Sequence, residues 1–227
     1  MPTFNRITET SSDRIAYMPE TLVMAGWTAR DPAQLQRHMD ELAAFDVKPP
    51  TSVPVFYRLD PMLLSNQKRI QVLGEGTCGE AEVVIAALAD GLWVGLGSDH
   101  TDRAAEAHSI ALSKQLCRKP MSSELWRFVE VEPHWDQLIV RAHIVEDDRR
   151  VLYQEGTMAQ ILPPHELIDA YVGDDEPLPS GTIMFMGAVN TIGPVRTAQR
   201  FEMELIDPIL KRRLYHAYDV QVIPVVS

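Results

Sequence analysis

Cysteine is almost missing from this sequence: Cys78 and Cys117 are its only two in 227 residues. Two thiols cannot make the disulfide framework of a small secreted scaffold. Their contexts read as buried free thiols of a reducing compartment. Long apolar runs are missing too. No stretch approaches the roughly 18–20 apolar residues that a membrane helix needs. The opening "MPTFNRITETSSDRI" lacks the apolar centre of a secretory signal. The expected location is therefore the cytoplasm, with no membrane partner. Lys/Arg-rich blocks are absent, and 21 basic against 32 acidic residues give a net charge of −11. That excludes nucleic acid as the expected partner. It leaves small anionic substrates open, because a local cationic pocket can sit in an acidic protein. There is also no nucleophile elbow, no glycine-rich phosphate loop and no Cys/His zinc spacing.

What is present reads as a mostly β, α+β chain. Strands are expected at 4–9, 14–18 and 21–27, then at "VPVFYRL", "RIQVL", "AEVVIAAL" and "LWVGLG". The triplet "ADG" between the last two is a hairpin signal. A second hairpin joins "QLIVRAHIV" to "RVLYQEG" through the acidic turn "EDDR". "GTIMFMGAV", "RFEMELID" and "YDVQVIPV" are further strands. Helices are expected at 31–45, 102–115 and 163–172. The first has Asp31 as N-cap, Pro32 at the first helical position and Gln34 to complete a capping box. The absence of a βαβ rhythm points to a mixed or antiparallel sheet core. Residues 1–50 read as a small N-terminal lobe and 51–227 as the core, in one integrated domain.

The chemistry begins at Glu80-Ala81-Glu82. Residues two apart on a strand share a face. Two carboxylates on one face of a buried strand repel each other and carry a large desolvation cost, which a divalent cation removes. The alternative is an edge strand with both in solvent. Glu202 and Glu204, alternating with Phe201, Met203 and Leu205, show the pattern of a half-exposed strand with no special chemistry. Asp99 ends the next strand and can approach Glu80 and Glu82. Three carboxylates suit Mg²⁺ or Mn²⁺ better than zinc. The stretch "SDHTDRAAE" also reads as a capped helix start, and both readings can hold together. Arg103 and Lys114 lie about three helical turns apart, on one face of a continuous helix. His38 and Glu41, at i and i+3, can touch as a histidine–carboxylate general base or as an exposed ion pair.

In that order the motifs resemble the fumarylacetoacetate hydrolase family. His38-Met39-Asp40-Glu41 matches the family's His-x-x-Glu lid helix, and "PTSVPVFYRLDP" the step after it. Glu80 and Glu82 match its metal pair. Asp99, Thr101 and Arg103 match its Asp-x-(Ser/Thr)-x-Arg, and Lys114 its active-site lysine. Gln154 and Gly156 match a Gln-x-Gly segment. Gly187-Ala188-Val189 stands where the family has Gly-Thr-Pro, so a substrate-binding hydroxyl is missing, and Asn190 or Thr191 is the candidate replacement. Glu106 stands where many members have Gln, and a carboxylate there would repel an anionic substrate.

The resemblance covers residues 20–206. It implies a barrel-like mixed β core, a homodimer, and an Mg²⁺ (or Mn²⁺ or Ca²⁺) ion held by Glu80, Glu82 and Asp99. It implies a hydrolase cleaving a C–C bond in a small organic acid, a 2-oxo or β-dicarbonyl acid. His38 oriented by Glu41 would activate water, Lys114 would stabilise the leaving enolate, and Arg103, Thr101, Gln154, Asn190 and Glu106 would line the substrate site. Decarboxylation, isomerisation or hydration through the same enolate is the second possibility, and a non-catalytic binding protein the third.

Overall fold

The run Ala81–Leu88 is apolar except for Glu82 and is buried at every position, which is what a strand covered on both faces requires. In the computed structural model, which describes residues 1–33, 35–36, 50 and 52–226, it lies at the centre of the larger of two main sheets. In chain order the strands are β1 (Thr3–Ile7), β2 (Ser12–Ala16), β3 (Thr21–Gly26), β4 (Val55–Leu59), β5 (Leu64–Ser65), β6 (Arg69–Leu73), β7 (Thr77–Cys78), β8 (Ala81–Leu88) and β9 (Gly91–Ser98). Then come β10 (Thr101–Asp102), β11 (Lys119–Pro120), β12 (Glu124–Arg127), β13 (Ile139–Glu146), β14 (Arg149–Thr157), β15 (Thr182–Ala188), β16 (Arg200–Asp207) and β17 (Arg212–Ile223).

The eight-stranded sheet has the order β2-β1-β12-β9-β8-β15-β3-β4, and the five-stranded sheet the order β14-β13-β16-β17-β6. The pairs β10–β7 and β11–β5 make two short ladders beside them. Parallel and antiparallel pairs are mixed, as with β15 on β3 and on β8. Residues of β8 pointing one way, such as Val83 and Ile85, join a core with Val140 and Leu205 of the smaller sheet. Those pointing the other way, Val84 and Ala86, join a second core with Phe4, Leu22 and Trp93. This is the mostly β, mixed-sheet architecture expected from the strand pattern. Strands β1–β3 belong to the same sheet as β8 and β9.

Three local expectations are corrected. The single helix over 102–115 is two helices, Arg103–Glu106 and Ile110–Gln115, because the Ser109 hydroxyl accepts from the Leu112 amide and starts a second cap. Arg103 and Lys114 therefore do not share one helix face. Glu80 precedes β8 instead of alternating with Glu82 along it. Most of the helix expected at 31–45, with Gln34, His38 and Glu41, lies outside the described residues. The helix expected at 163–172 is Pro164–Val172. Among the described residues no helix is long and apolar enough to cross a membrane.

Candidate metal centre

The hairpin β8–β9 builds the site by its register. Ala81 pairs with Ser98 and Glu82 with Gly97. One step further, the Asp99 amide donates to the Glu80 carbonyl at 2.9 Å, which brings the two chain ends together where the strands stop. Ligand oxygens of Glu80, Glu82 and Asp99 then lie within 4.8 Å of one another. Glu82 is 4% exposed and Asp99 1%, while the side chain of Glu80 keeps 20% of its surface. The third strand, β15, adds a further contact: the Gly187 amide donates to Glu82 Oε2 at 2.9 Å.

The three carboxylates are not equivalent. Both oxygens of Asp99 carry lysines. Lys114 Nζ donates to Oδ2, and Lys119 Nζ lies 2.8 Å from Oδ1 and donates to the His100 carbonyl at 2.6 Å. Burial alone would raise the Asp99 pKa, but the two lysines outweigh it and hold the group ionised, below the usual carboxylate range. Glu82 goes the other way. Burial first, and the neighbouring Asp99 charge second, push its carboxyl well above the ordinary value, with the nearest cationic help coming from Lys114. Lys114 is itself faced by Asp99, Glu80 and Glu82, which outweigh its burial and raise its pKa. Its ammonium lies 5.7 Å from the centre of the Tyr57 ring, a cation–π distance.

Arg103 lies at the outer side of this cluster. Its Nη1 donates to Glu106 Oε2 at 2.7 Å and its Nε to Cys78 Sγ at 2.9 Å. Its Nη2 stands 2.9 Å from Glu80 Oε1 as an ion pair whose N–H is not aimed at the oxygen. The Glu106 carboxylate is thus spent on Arg103. Thr101 is fully buried and returns its hydroxyl to the Asp99 carbonyl at 3.0 Å, which fixes the turn carrying Asp99.

Beneath that turn runs a buried polar chain that sequence reasoning missed. Tyr218 OH makes hydrogen bonds to Ser98 Oγ at 2.8 Å and His100 Nδ1 at 3.0 Å, and His100 Nε2 to Thr77 Oγ1 at 2.9 Å. Burial, with Lys119 and Arg103 nearby, pushes the His100 pKa down to about 3, so the ring is neutral. Lys119 was also missed. Its sequence signal is weak: the chain has five lysines and places this one between Arg118 and Pro120.

Of the other expected residues, Gln154 is fully buried and bridges the Ala81 amide to the Val189 carbonyl, at 2.8 Å each, which ties β14 to the hairpin and to β15. Asn190 is exposed, just beyond the end of β15. Ala188 pairs with Glu82 across a β-bulge. His38 and Glu41 lie outside the described residues.

The residues fit a hard divalent cation. They offer oxygen only, from three carboxylates of which two are withdrawn from water. Among the described residues Glu82 has a backbone amide as partner but no ion pair. A buried carboxylate so placed takes either a proton or a metal ion.

A family model described as "Protein of unknown function (DUF2848)" matches residues 25–218. No curated protein matches the sequence. Solved structures do share the fold. A candidate fumarylpyruvate hydrolase from Burkholderia cenocepacia superposes with a TM-score of 0.65 at 17% identity, covering 98% of this chain and 96% of its own. A 2-keto-3-deoxy-D-arabinonate dehydratase complexed with magnesium and 2,5-dioxopentanoate gives 0.64 at 17%, covering 91% and 74%. A yeast fumarylacetoacetate hydrolase family protein gives 0.62 at 14%, covering 92% and 95%. The likeness is one of fold.

Proposed function

The chain belongs to the DUF2848 family, and from its acidic centre we propose that it is an enzyme dependent on a divalent cation and acting on a small 2-oxo acid. The observation that carries this reading is Glu82: a buried carboxylate within 4.8 Å of Glu80 and Asp99, without an ion pair of its own among the described residues. Proteins of the same fold include a dehydratase bound to magnesium and a dioxo acid, which supports the choice of cation and ligand class.

The reaction we assign is hydrolysis of a C–C bond in a 2-oxo or β-dicarbonyl acid. Glu80, Glu82 and Asp99 would hold a divalent cation, which would supply Lewis-acid polarisation of a 2-oxo acid. The imidazole of His38, oriented by Glu41, takes a proton from water as its oxygen adds to the distal carbonyl. The C–C bond then breaks, and its electron pair leaves as the enolate of the 2-oxo acid. The Lys114 ammonium stabilises the enolate oxygen and keeps its own proton, and the proton that His38 took from water passes to the enolate carbon, which leaves the imidazole neutral again. Arg103 keeps Glu80 and Glu106 in place. The working unit is a homodimer.

A second reading, dehydration or another lyase reaction through the same enolate, is favoured by the dehydratase that shares the fold. The test is a panel of acylpyruvates, oxaloacetate and other keto and enol acids with Mg²⁺, run on the wild type, Glu82→Ala and His38→Ala. Hydrolytic products lost in both variants support the assignment. A dehydrated product that persists in His38→Ala supports the second reading. Turnover unchanged in Glu82→Ala sinks the metal mechanism. No turnover on any acid would leave a binding protein, the reading that the missing hydroxyl at Ala188 favours.

A further inference from the structure

Tyr153 is 0% exposed, and its hydroxyl has no hydrogen-bond partner among the described residues. An irregularity in β14 turns this side chain inward. Ala142 pairs with Gln154 but His143 pairs with Leu152, so Tyr153 is the extra residue of a β-bulge. Successive side chains of a regular strand point to opposite faces. Here two neighbours, Tyr153 and Gln154, are both fully buried. The Gln154 side chain bridges the Ala81 amide and the Val189 carbonyl. The Tyr153 hydroxyl bridges nothing. A phenylalanine would fill the same volume without burying an unpaired hydroxyl, so packing gives no reason for the oxygen.

The place of the ring gives the reason. It meets Phe201 edge to face, with ring centres 6.1 Å apart. Phe201 in turn lies against Gly79, where a Cβ would stand 2.8 Å from Phe201 Cδ2. The Arg196 guanidinium, paired with Glu146, covers the Tyr153 ring at 5.2 Å from its centre. The Ile192 amide donates to the Tyr153 carbonyl at 2.7 Å and holds the bulge. The ring is thus fixed near the stretch Cys78–Ala81 that carries Glu80. Burial raises the Tyr153 pKa, and Cys78 and Glu80 add to this. The Arg196 amide, which falls short of a hydrogen bond, and Arg103 oppose it without reversing it, so the phenol stays protonated and offers a donor. A second donor beside Glu80 is also unused: Arg103 Nη2 is buried, stands 2.9 Å from Glu80 Oε1 and makes no hydrogen bond. Buried donors left open beside a carboxylate of a cation site call for an acceptor oxygen that the chain does not supply.

We propose that Tyr153 is a ligand-binding residue of the acidic centre, its hydroxyl donating to an oxygen that arrives with the cation, as a cation-bound water or as part of a bound anion. The inference rests on the metal-dependent reading above and adds a residue to that site.

The test compares the wild type with Tyr153→Phe, which removes that oxygen and nothing else. Three quantities are measured: the thermal midpoint of the cation-free protein, its Mn²⁺ affinity by electron paramagnetic resonance, and the affinity of the Mn²⁺-loaded protein for oxalate by water proton relaxation. Without a cation the variant is relieved of an unpaired buried hydroxyl, so its midpoint holds or rises by up to about 4 °C. With the cation it lacks a hydrogen bond to a charged partner, and affinity falls roughly tenfold. A fall already in Mn²⁺ affinity identifies the acceptor as a cation-bound water. A fall in oxalate affinity alone identifies it as an oxygen of the anion. A lower midpoint, or a variant that does not fold, means that the hydroxyl has its partner within the protein and overturns the proposal. Mn²⁺ and oxalate affinities both equal to those of the wild type overturn it as well, whatever the midpoint. A wild type that binds no Mn²⁺ refutes the metal-dependent reading and the proposal with it, a result read without the variant and so distinct from the others.

Discussion

The amide of Gly187 donates to Glu82 Oε2 at 2.9 Å, and the glycine does so at a φ of 100°. A Cβ at that position would meet Thr28 Oγ1 at 2.0 Å. Both the backbone angle and the contact require glycine. Gly187→Ala is expected to cost about 1–3 kcal/mol from backbone strain alone. The thermal midpoint should fall, and the cation should bind more weakly because Glu82 is no longer aimed. An unchanged midpoint would show that the Gly187–Glu82 geometry is not required.

Glu82 and Asp99 impose opposite pH dependence on the cation-free protein. Burial and the Asp99 charge raise the Glu82 pKa above 4.5, so the folded protein keeps a proton that the unfolded chain releases. That contribution to stability is full below 4.5 and is lost as pH rises through the folded value. Asp99, held low by Lys114 and Lys119 against its burial, contributes above 3.8 and is lost as pH falls. A cation that takes the place of the Glu82 proton must release it. Calorimetric titration with Mn²⁺ in two buffers of different ionisation enthalpy should detect that release, and the heats should converge as the pH rises through the folded value of Glu82. Identical heats in the two buffers would contradict the protonated state of Glu82.

Tyr218→Phe removes the hydroxyl shared by Ser98 and His100 and leaves both without that partner in a dry interior. A buried polar group left unpaired costs about 1–3 kcal/mol. Chemical denaturation should report a loss in that range with an unchanged m-value. A loss well below it would mean that the chain beneath Asp99 contributes little.

Both thiols should be inert in the folded protein. Burial raises the Cys78 pKa to about 11, against the lowering effect of Arg103, and that of Cys117 also to about 11. At pH 8 a thiol-specific reagent should titrate neither until denaturant is added. Rapid labelling of either in the native protein would contradict their burial.

The acidic centre was legible because its ligands sit on one hairpin. Glu-x-Glu before an apolar strand, a two-strand turn and Asp99 at the far end give proximity from local spacing alone. The Glu202/Glu204 alternation was legible, but the burial of Glu204 was not, and arginines account for it: Glu202 meets Arg150 and, on its own strand, Arg200, and Glu204 meets Arg141. Tyr218 and Lys119 were not legible. Tyr218 reaches His100 because β17 packs against β9, across 118 residues of chain. Lys119 reaches Asp99 because Met121 bridges Gly97 of β9, an isolated bridge with no periodic signal. The break between the helices Arg103–Glu106 and Ile110–Gln115 turns on one serine cap, which a helical period over 102–115 conceals.

The proposed function stands on Glu80, Glu82 and Asp99 together holding one divalent cation. The most direct measurement is the Mn²⁺ stoichiometry by electron paramagnetic resonance, on the wild type and on Glu82→Gln checked for a native fold by circular dichroism. One tightly held ion per chain is expected in the wild type, and a loss of about a hundredfold or more in affinity in the variant. Equal binding by the two proteins, or none by either, would contradict it.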